Sequence, residues 1–276
     1  MKKICYTVLT NDSDDLKEPL KPNPSWDYVV FTDNPELRST TWSIELVNGT
    51  DPKKLSRFYK VKNHFPEYDI SVFIDATFTI KKDLDYFALN KKEGIWLNRH
   101  PMRQCAYQEA EVVKEKGLDD PKTVDSLISN YESEGFPKEW GLWRCGIMVR
   151  NPRDTLLTQM CETWWKEIEQ GTYRDQISFP YACWKTGLKP NSIVKGITET
   201  YFKQSLHKAQ PTTDWLFTGE GEYDKSLTER YSTAHVILTK KGLLYPKWIK
   251  NYVSMKNGEE RFLELIKILG GVIVRV

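Results

Sequence analysis

Residues 71–77 have the sequence SVFIDAT. Together with the preceding Ile70, residues 71–74 form a short, mostly apolar run that is followed by the carboxylate of Asp75. A continuous apolar run bounded by polar residues is typical of a fully buried strand, the kind that parallel sheets contain. In open α/β sheets, ligands bind outside the carboxyl ends of the strands. Asp75 is therefore a candidate ligand-binding or metal-binding residue. The alternative is a carboxylate that only caps the turn after the strand.

The segments before this strand alternate between strand and helix patterns. Apolar or alternating runs predict strands at 4–9, 28–31 and 41–47. Asp51 and Pro52 then mark a helix start, because Asp is favoured at the cap and Pro in the first turn. Strands that alternate with helices predict an α/β fold with a Rossmann-like, mixed and mostly parallel sheet flanked by helices.

The later part of the chain contains more helix. The predicted elements are strands at 95–97, 143–149 and 272–276 and helices around 124–131, 156–168 and 259–269. Trp164 and Trp165 lie on the helix at 156–168, where the apolar spacing makes them core residues rather than a ligand platform. We expect one α/β domain at residues 1–240 and a C-terminal helical extension at 241–276 that packs on it.

Charge and composition exclude several classes of protein. The 276 residues include 40 Lys and Arg against 38 Asp and Glu, a net charge of +2 that provides no basic field for nucleic acid. No apolar run approaches the roughly 20 residues that span a bilayer. The five cysteines are scattered without a CxxC pair, which disfavours a disulfide framework or a zinc site. We expect a cytoplasmic protein.

Common catalytic motifs are absent from the sequence. It contains no GxSxG elbow, no phosphate-binding GKS or GKT loop, no HExxH and no GxGxxG. With only four histidines, catalytic schemes that need several of them are constrained.

A cationic face is predicted on the helix that begins near Pro52. Arg57, Lys60 and His64 are spaced three and four residues apart, so they share one side of a helix. Because this helix leads into the strand that carries Asp75, the face is a candidate for binding phosphate or a base. A solvated surface face is the alternative.

Asp175 and Gln176 follow the Trp-rich helix and Gly171. A carboxylate beside an amide suits the binding of sugar hydroxyls, since the pair offers both acceptors and donors. The alternative is that Thr172 or Asp175 only caps a helix.

A dense polar passage lies at residues 98–110, after the strand predicted at 95–97. It includes His100, Arg103 and Glu109 within a loop that leads into a helix. This density favours a ligand site. The alternative is an Arg103–Glu109 ion pair beside a buried histidine.

Three ordered blocks in residues 3–187 resemble a known family. They are SRFYK (56–60) with HFPEY (64–68) and SVFID (71–75), then HPMRQCAYQEA (100–110), then WW (164–165) with TYRDQISF (172–179). The family is a glycosyltransferase-like domain, long a domain of unknown function, that occurs in plant mucilage-related and ceramidase-related proteins and in many microbes.

The resemblance implies the GT-A fold, which binds a nucleotide-sugar and usually Mn²⁺ or Mg²⁺. In the Asp-x-Asp signature of that fold, Asp75 matches the first position and Thr77 stands in the second. Asp175 and Gln176 resemble the sugar-binding Asp-Gln pair of retaining GT-A enzymes. Those enzymes add a late metal-binding histidine and a lysine on the diphosphate. His207 with Lys208 fits best, and His235 is the second candidate.

The expected function is transfer of a hexose from a nucleotide-diphosphate sugar, with UDP as the expected nucleotide, to a glycan or another hydroxyl acceptor. Asp75, Thr77 and His207 would hold the metal, and Asp175 with Gln176 would be the catalytic pair. The expected donor-binding residues are Thr7, Thr10, Asp33, Arg57, Lys60, Asp75, His100, Arg103 and Lys208.

Two other functions fit the same residues. One is a catalytically silent module that binds a nucleotide-sugar or a glycan, which Thr77 in place of the second Asp favours. The other is a glycoside hydrolase, since Asp75, Glu109 and Asp175 include enough carboxylates for an acid/base pair.

Overall fold

The computed structural model describes residues 1–90, 93–208, 215–231, 234–246, 249 and 259–276. The chain divides into two compact units. The first comprises residues 1–12 and 16–203, and the second comprises residues 13–15 and 204–276. The sequence prediction instead divided the chain after residue 240, which lies in the second unit.

The first unit is built on a seven-stranded sheet of order β3-β2-β1-β4-β7-β6-β8. The strands of the chain up to residue 204 are β1 (Lys3–Leu9), β2 (Asp27–Thr32), β3 (Ser43–Leu46), β4 (Ile70–Ile74), β5 (Phe78–Ile80), β6 (Ile95–Arg99), β7 (Trp143–Arg150), β8 (Asn191–Ser192) and β9 (Phe202–Gln204). β5 pairs with β9 in a separate two-stranded sheet. The prediction of a mixed, mostly parallel sheet is confirmed.

The directions of the strands decide which strand ends lie together at one edge of the sheet. β3, β2, β1 and β4 are parallel, β7 is antiparallel to both β4 and β6, and β8 is parallel to β6. The carboxyl ends of β1, β2, β4 and β6 therefore lie at one edge of the sheet, together with the start of β7. All five residues of β4 are buried, which explains why four of them are apolar.

Helices cover the sheet of this unit. They are α1 (Pro52–Val61), α2 (Asp85–Asn90), α3 (Ala106–Glu115), α4 (Pro121–Ser133), α5 (Thr155–Gln170), α6 (Asp175–Thr186) and α7 (Ile197–Tyr201). α1 begins as predicted, because the Asp51 carboxylate accepts hydrogen bonds from the amides of Lys53 and Lys54. On α5, Trp164 is fully buried in the core between sheet and helices, whereas Trp165 is partly buried against the same cluster.

The second unit contains a four-stranded sheet of order β10-β12-β11-β13. Its elements are β10 (Trp215–Phe217), α8 (Ser226–Arg230), β11 (Val236–Thr239), β12 (Gly242–Pro246), α9 (Glu259–Ile268) and β13 (Ile273–Arg275). Phe262 and Ile266 of α9 pack with Leu243 and Tyr245 of β12. The helix and the last strand were predicted. The expected C-terminal helical extension also contains β12, and β12 pairs with β11, so the extension is a mixed α/β segment.

No helix in the part of the chain that the structure describes is both long and apolar enough to cross a membrane.

Candidate functional site

β4 delivers Asp75 to the carboxyl edge of the sheet. The Asp75 amide donates to the carbonyl of Gly146 on β7 at 2.8 Å, which holds the residue against the neighbouring strand. A Cβ at Gly146 would lie only 3.0 Å from the Asp75 carboxylate, so glycine leaves the space that this side chain occupies. The Asp75 side chain is 36% exposed and is therefore accessible from solvent.

α1 delivers Lys60 to the same place. Its ammonium nitrogen lies 3.0 Å from Asp75 Oδ1 and 2.7 Å from Asp175 Oδ2, and its side chain is only 5% exposed. The nitrogen also lies 5.2 Å from the centre of the Phe73 ring. Burial by itself lowers the pKa of Lys60, but Asp175 and Asp75 raise it, and the net shift is upward. Lys60 is therefore a fixed positive charge at neutral pH.

Asp175 is the first residue of α6. The residue at the N-cap is Arg174, whose side chain makes no capping hydrogen bond. The Asp175 carboxylate instead pairs with Lys60, and its Oδ1 lies 3.9 Å from Nε of Arg57. Burial raises the pKa of Asp175, but these cations outweigh burial and lower the pKa to about 2. The side chain is thus an ionised carboxylate used for an ion pair, not a helix cap.

The segment before Asp175 is held by side chains from other elements. The Asp119 carboxylate accepts from the hydroxyl of Thr172, and from the amide of Tyr173 at 3.1 Å. The Tyr173 hydroxyl donates to Asp51, the cap of α1, at 2.7 Å. Trp164 Nε1 donates to the carbonyl of Asp175 at 3.0 Å. These bonds fix where α6 begins and hence where its first carboxylate lies.

Four side chains singled out from the sequence therefore meet at one edge of the sheet. Arg57 and Lys60 carry two positive charges, and Asp75 and Asp175 carry two negative charges. Arg57 also donates from Nε to the carbonyl of Tyr173 at 3.0 Å. The alternative of a solvated cationic face is wrong for these two residues. Gln176 is half-buried next to Asp175.

A family model described as "TOD1/MUCI70, glycosyltransferase-like domain" matches residues 36–209, well over half of the chain. The chain belongs to this family. The matched segment includes all four members of the charged cluster, and the resemblance on the three sequence blocks is confirmed. Thr7, Thr10 and Asp33 lie before the matched segment.

Two similar proteins are longer than this chain. The probable hexosyltransferase MUCI70 of Arabidopsis thaliana is 27% identical over 181 residues, a match that covers 59% of this chain and 30% of that protein. Among solved structures, the apo structure of the WbbM bifunctional glycosyltransferase has a TM-score of 0.41 and 12% identity, covering 70% of this chain and 38% of that one. The chain spans less than half the length of each.

His100 and Arg103 adopt the paired arrangement that the sequence left open. Arg103 pairs with the buried carboxylate of Glu109, and its guanidinium lies 3.1 Å from His100 Nε2. Nδ1 of His100 accepts from the amide of Arg103 at 2.9 Å. Burial, together with Arg103 and Arg144, lowers the pKa of His100 to about 4. His100 is therefore neutral at pH 7, and its donor-binding role stays a prediction.

Three of the expected donor-binding residues, Thr7, Thr10 and Asp33, lie along or just after β1 and β2. Thr7 is 1% exposed within β1, and its hydroxyl has no hydrogen-bond partner among the described residues. The Thr10 hydroxyl donates to the carbonyl of Pro52 at 2.9 Å. The Asp33 carboxylate accepts from the amide of Asn11 at 2.9 Å. Burial makes Thr7 inaccessible to a ligand, whereas Asp33 remains partly exposed at the edge.

His207 and Lys208 lie in the second unit with an acidic segment of residues 13–15. His207 Nδ1 lies 2.8 Å from Asp14 Oδ2, and the Lys208 amide donates to Asp14 Oδ1 at 2.8 Å. His235 Nε2 lies 2.9 Å from the carbonyl of His207. The proposed roles of these side chains toward a metal and a diphosphate stay predictions.

The surroundings of Asp75 do not fit a divalent cation. Asp75 Oδ1 already contacts the Lys60 ammonium, and the second signature position, Thr77, is buried at 3% exposure. Within the described ranges, no group of three His, Cys, Asp or Glu side chains could hold a metal ion. Binding Mn²⁺ or Mg²⁺ at Asp75 would bring a double positive charge next to a fixed ammonium, which Coulomb repulsion opposes.

A cavity of about 450 Å³ opens beside the start of α3. Its lining combines one aromatic ring with acids and an amide: Cys105, Tyr107, Gln108, Glu111, Ile128, Glu132, Lys138 and Glu139. Tyr107 is fixed by its hydroxyl, which donates to the carbonyl of Phe136 at 2.6 Å. A ring face next to hydrogen-bonding groups suits a hydroxyl-rich ligand.

Sequence reasoning missed Arg150, the last residue of β7. It is 1% exposed, and its guanidinium donates to the carbonyl of Lys60 at 2.8 Å and to the hydroxyl of Tyr6 at 2.9 Å. Arg150 thereby ties the end of α1, and Lys60 with it, to the sheet. The available signal was an arginine directly after the apolar run 147–149, since a charge inside a buried strand requires partners.

Proposed function

We propose that this glycosyltransferase-like domain transfers a hexose from a nucleotide-diphosphate sugar, with a UDP-sugar as the first donor to test, to a hydroxyl acceptor. The observation that carries the proposal is the convergence of Asp75 and Asp175 on Lys60 at the carboxyl edge of the sheet. Ligands bind at that edge in open α/β folds. Family membership supports the reaction class, and the residues of this edge support the donor.

In the proposed reaction, the bond between the anomeric carbon and the diphosphate oxygen breaks, and its electron pair leaves with the diphosphate. The acceptor hydroxyl oxygen forms the new bond to that carbon, and its proton passes to the departing diphosphate. Asp175 stays ionised, so it accepts hydrogen bonds from donor-sugar hydroxyls, and Gln176 adds an amide beside it. Arg57 supplies a positive charge toward the departing diphosphate, a form of electrostatic stabilisation.

We propose that the acceptor binds in the cavity beside α3. The chain leads from the carboxyl end of β6 to Cys105 in the lining of this cavity within six residues, which supports a connection to the same edge. The Tyr107 ring is stacked on Phe136 and lies beside the Lys138 ammonium, and Gln108 and Glu111 offer polar groups. A glycan or another polyhydroxyl acceptor suits this lining better than an apolar one.

A silent binding module remains a second candidate, because Lys60 and Arg57 together already balance the charges of both carboxylates. A glycoside hydrolase is disfavoured. That reaction needs a carboxyl group that is protonated at working pH. Asp175, with a pKa of about 2, is not protonated there, and Glu109 is buried in its pair with Arg103.

The test is release of nucleoside diphosphate from a panel of UDP-, GDP- and ADP-hexoses, with and without oligosaccharide acceptors. We expect one donor to be turned over, faster with acceptor, and the product to be a glycoside detected by mass spectrometry. Donor binding without turnover would contradict the proposed transfer and favour the silent binding module. Cleavage of a glycoside without any nucleotide would overturn the proposal in favour of a hydrolase.

A further inference from the structure

The ammonium of Lys60 occupies the position where a cation would bind Asp75. It lies between two carboxylates at 3.0 Å and 2.7 Å, with the ring of Phe73 on a third side at 5.2 Å. These are the contacts that a bound cation makes with oxygen ligands and an aromatic face. Lys60 is buried, so the charge is desolvated and aimed at these partners.

The position of this ammonium is fixed by the fold. The carbonyl of Lys60 accepts from the buried Arg150 at 2.8 Å, and Asp175 is fixed by the bond from Trp164 to its carbonyl. The four charges of Arg57, Lys60, Asp75 and Asp175 sum to zero. A divalent ion added at Asp75 would leave this cluster with a net charge of +2 and would compete with an ammonium that is already bound.

We infer that Lys60 takes the place of a divalent metal at the end of β4, and that the site binds its nucleoside-diphosphate ligand without Mn²⁺ or Mg²⁺. The part of the inference that concerns the nucleotide rests on the proposed function. The part that concerns the metal rests on the observed ion pairs. Lys60 acts as a positioning residue here. It holds the two carboxylates in place through its ion pairs.

The inference predicts that removing the ammonium creates a metal site. Lys60→Met keeps most of the length of the side chain but removes the ammonium between Asp75 and Asp175, and only Arg57 remains near Asp175, at 3.9 Å. Two facing carboxylates are hard oxygen ligands that suit Mn²⁺ or Mg²⁺.

The experiment measures Mn²⁺ alone by electron paramagnetic resonance, on the full chain without nucleotide. We expect weak or no binding in the parent, and binding at least about tenfold tighter in Lys60→Met that is lost again in the Lys60→Met/Asp75→Asn double variant. Lys62→Met is the matched control. It lies two residues further, pairs with Glu162 away from Asp75, and should bind Mn²⁺ as the parent does.

A second measurement uses the parent protein alone. The melting temperature of the parent with UDP is compared in EDTA and in Mn²⁺, and the inference expects the same increase in both. It is overturned if the parent binds Mn²⁺ in a way that Asp75→Asn abolishes, if Lys60→Met binds no more Mn²⁺ than the parent, or if EDTA removes the effect of UDP. Failure of every nucleoside diphosphate to bind would contradict the proposed function and leave the Mn²⁺ measurement to decide the inference.

Discussion

At the scale of single residues, Asp175 links the fold to the proposed chemistry. Its carboxylate is 12% exposed, yet it is ionised because Lys60 and Arg57 lie within reach. A buried charge is tolerated when it is paired, and removal of one partner leaves the other uncompensated. The same carboxylate thus contributes to stability and, in the proposed function, accepts hydrogen bonds from hydroxyls of a donor sugar.

We predict that Asp175→Asn lowers transfer by at least about 100-fold while the protein stays folded. Asn keeps the shape and the helix start but removes the charge that accepts from sugar hydroxyls. The measurement is kcat and kcat/KM with the active donor, alongside circular dichroism. Asp125→Asn, which removes an exposed ion pair with Lys114, should leave the rate unchanged. Unchanged turnover in Asp175→Asn would remove this residue from the site.

At the scale of elements, the start of α6 is placed by parts of the chain that are distant in sequence. Asp119, which precedes α4, accepts from Thr172 and Tyr173, and Tyr173 in turn donates to Asp51 before α1. Hydrogen bonds to charged groups contribute more than neutral ones. The position of Asp175 therefore depends on a segment that never touches the proposed ligand.

We predict that Asp119→Ala lowers the free energy of unfolding by about 2 kcal/mol and also lowers kcat/KM, because the segment 172–174 loses its acceptor. Asp119→Asn, which keeps an acceptor oxygen, should restore most of the activity. Asp120→Ala is the matched control. It removes the cap of α4, lowers stability and should leave transfer intact. Equal activity in Asp119→Ala and Asp120→Ala would contradict the prediction.

At the scale of the whole molecule, His100 and Asp175 are two of the groups whose lowered pKa values contribute to acid sensitivity. His100 has its pKa lowered to about 4 by burial, Arg103 and Arg144, and Asp175 has its pKa lowered to about 2. For both groups the folded-state pKa is below the unfolded value, so the unfolded chain binds more protons. Stability is therefore lost as the pH falls.

The expected loss occurs in two windows. The contribution of His100 is fully present above pH about 6.5 and falls away down to pH about 4. The contribution of Asp175, about 2 kcal/mol, is present above pH about 4 and falls away toward pH about 2. Urea unfolding of the parent, His100→Gln and Asp175→Asn across this range measures both. If the free energy of unfolding of either variant changes with pH as steeply as that of the parent in the window of that residue, the residue does not cause the loss of stability.

Local patterns determined much of the architecture. The apolar run at 70–74 is β4 with the predicted bounds, the Asp51-Pro52 start is α1, and the stripe from 156 to 168 lies within α5. These features depend on periodicity and caps, which act over a few residues and are visible in any sequence. The sequence also singled out Arg57, Lys60, Asp75 and Asp175 as separate candidates.

Only the tertiary structure decided how those candidates are used. Sequence spacing could not show that Lys60 lies between Asp75 and Asp175, since the two carboxylates are 100 positions apart in the chain and meet through the packing of α1 and α6 on the sheet. The same holds for Arg150, whose guanidinium donates to the carbonyl of Lys60 in α1. The Arg103–Glu109 pair was one of two alternatives that the sequence left open, and the structure decided between them. Pairing of charges is a property of distance and burial, and these quantities exist only once the chain has folded.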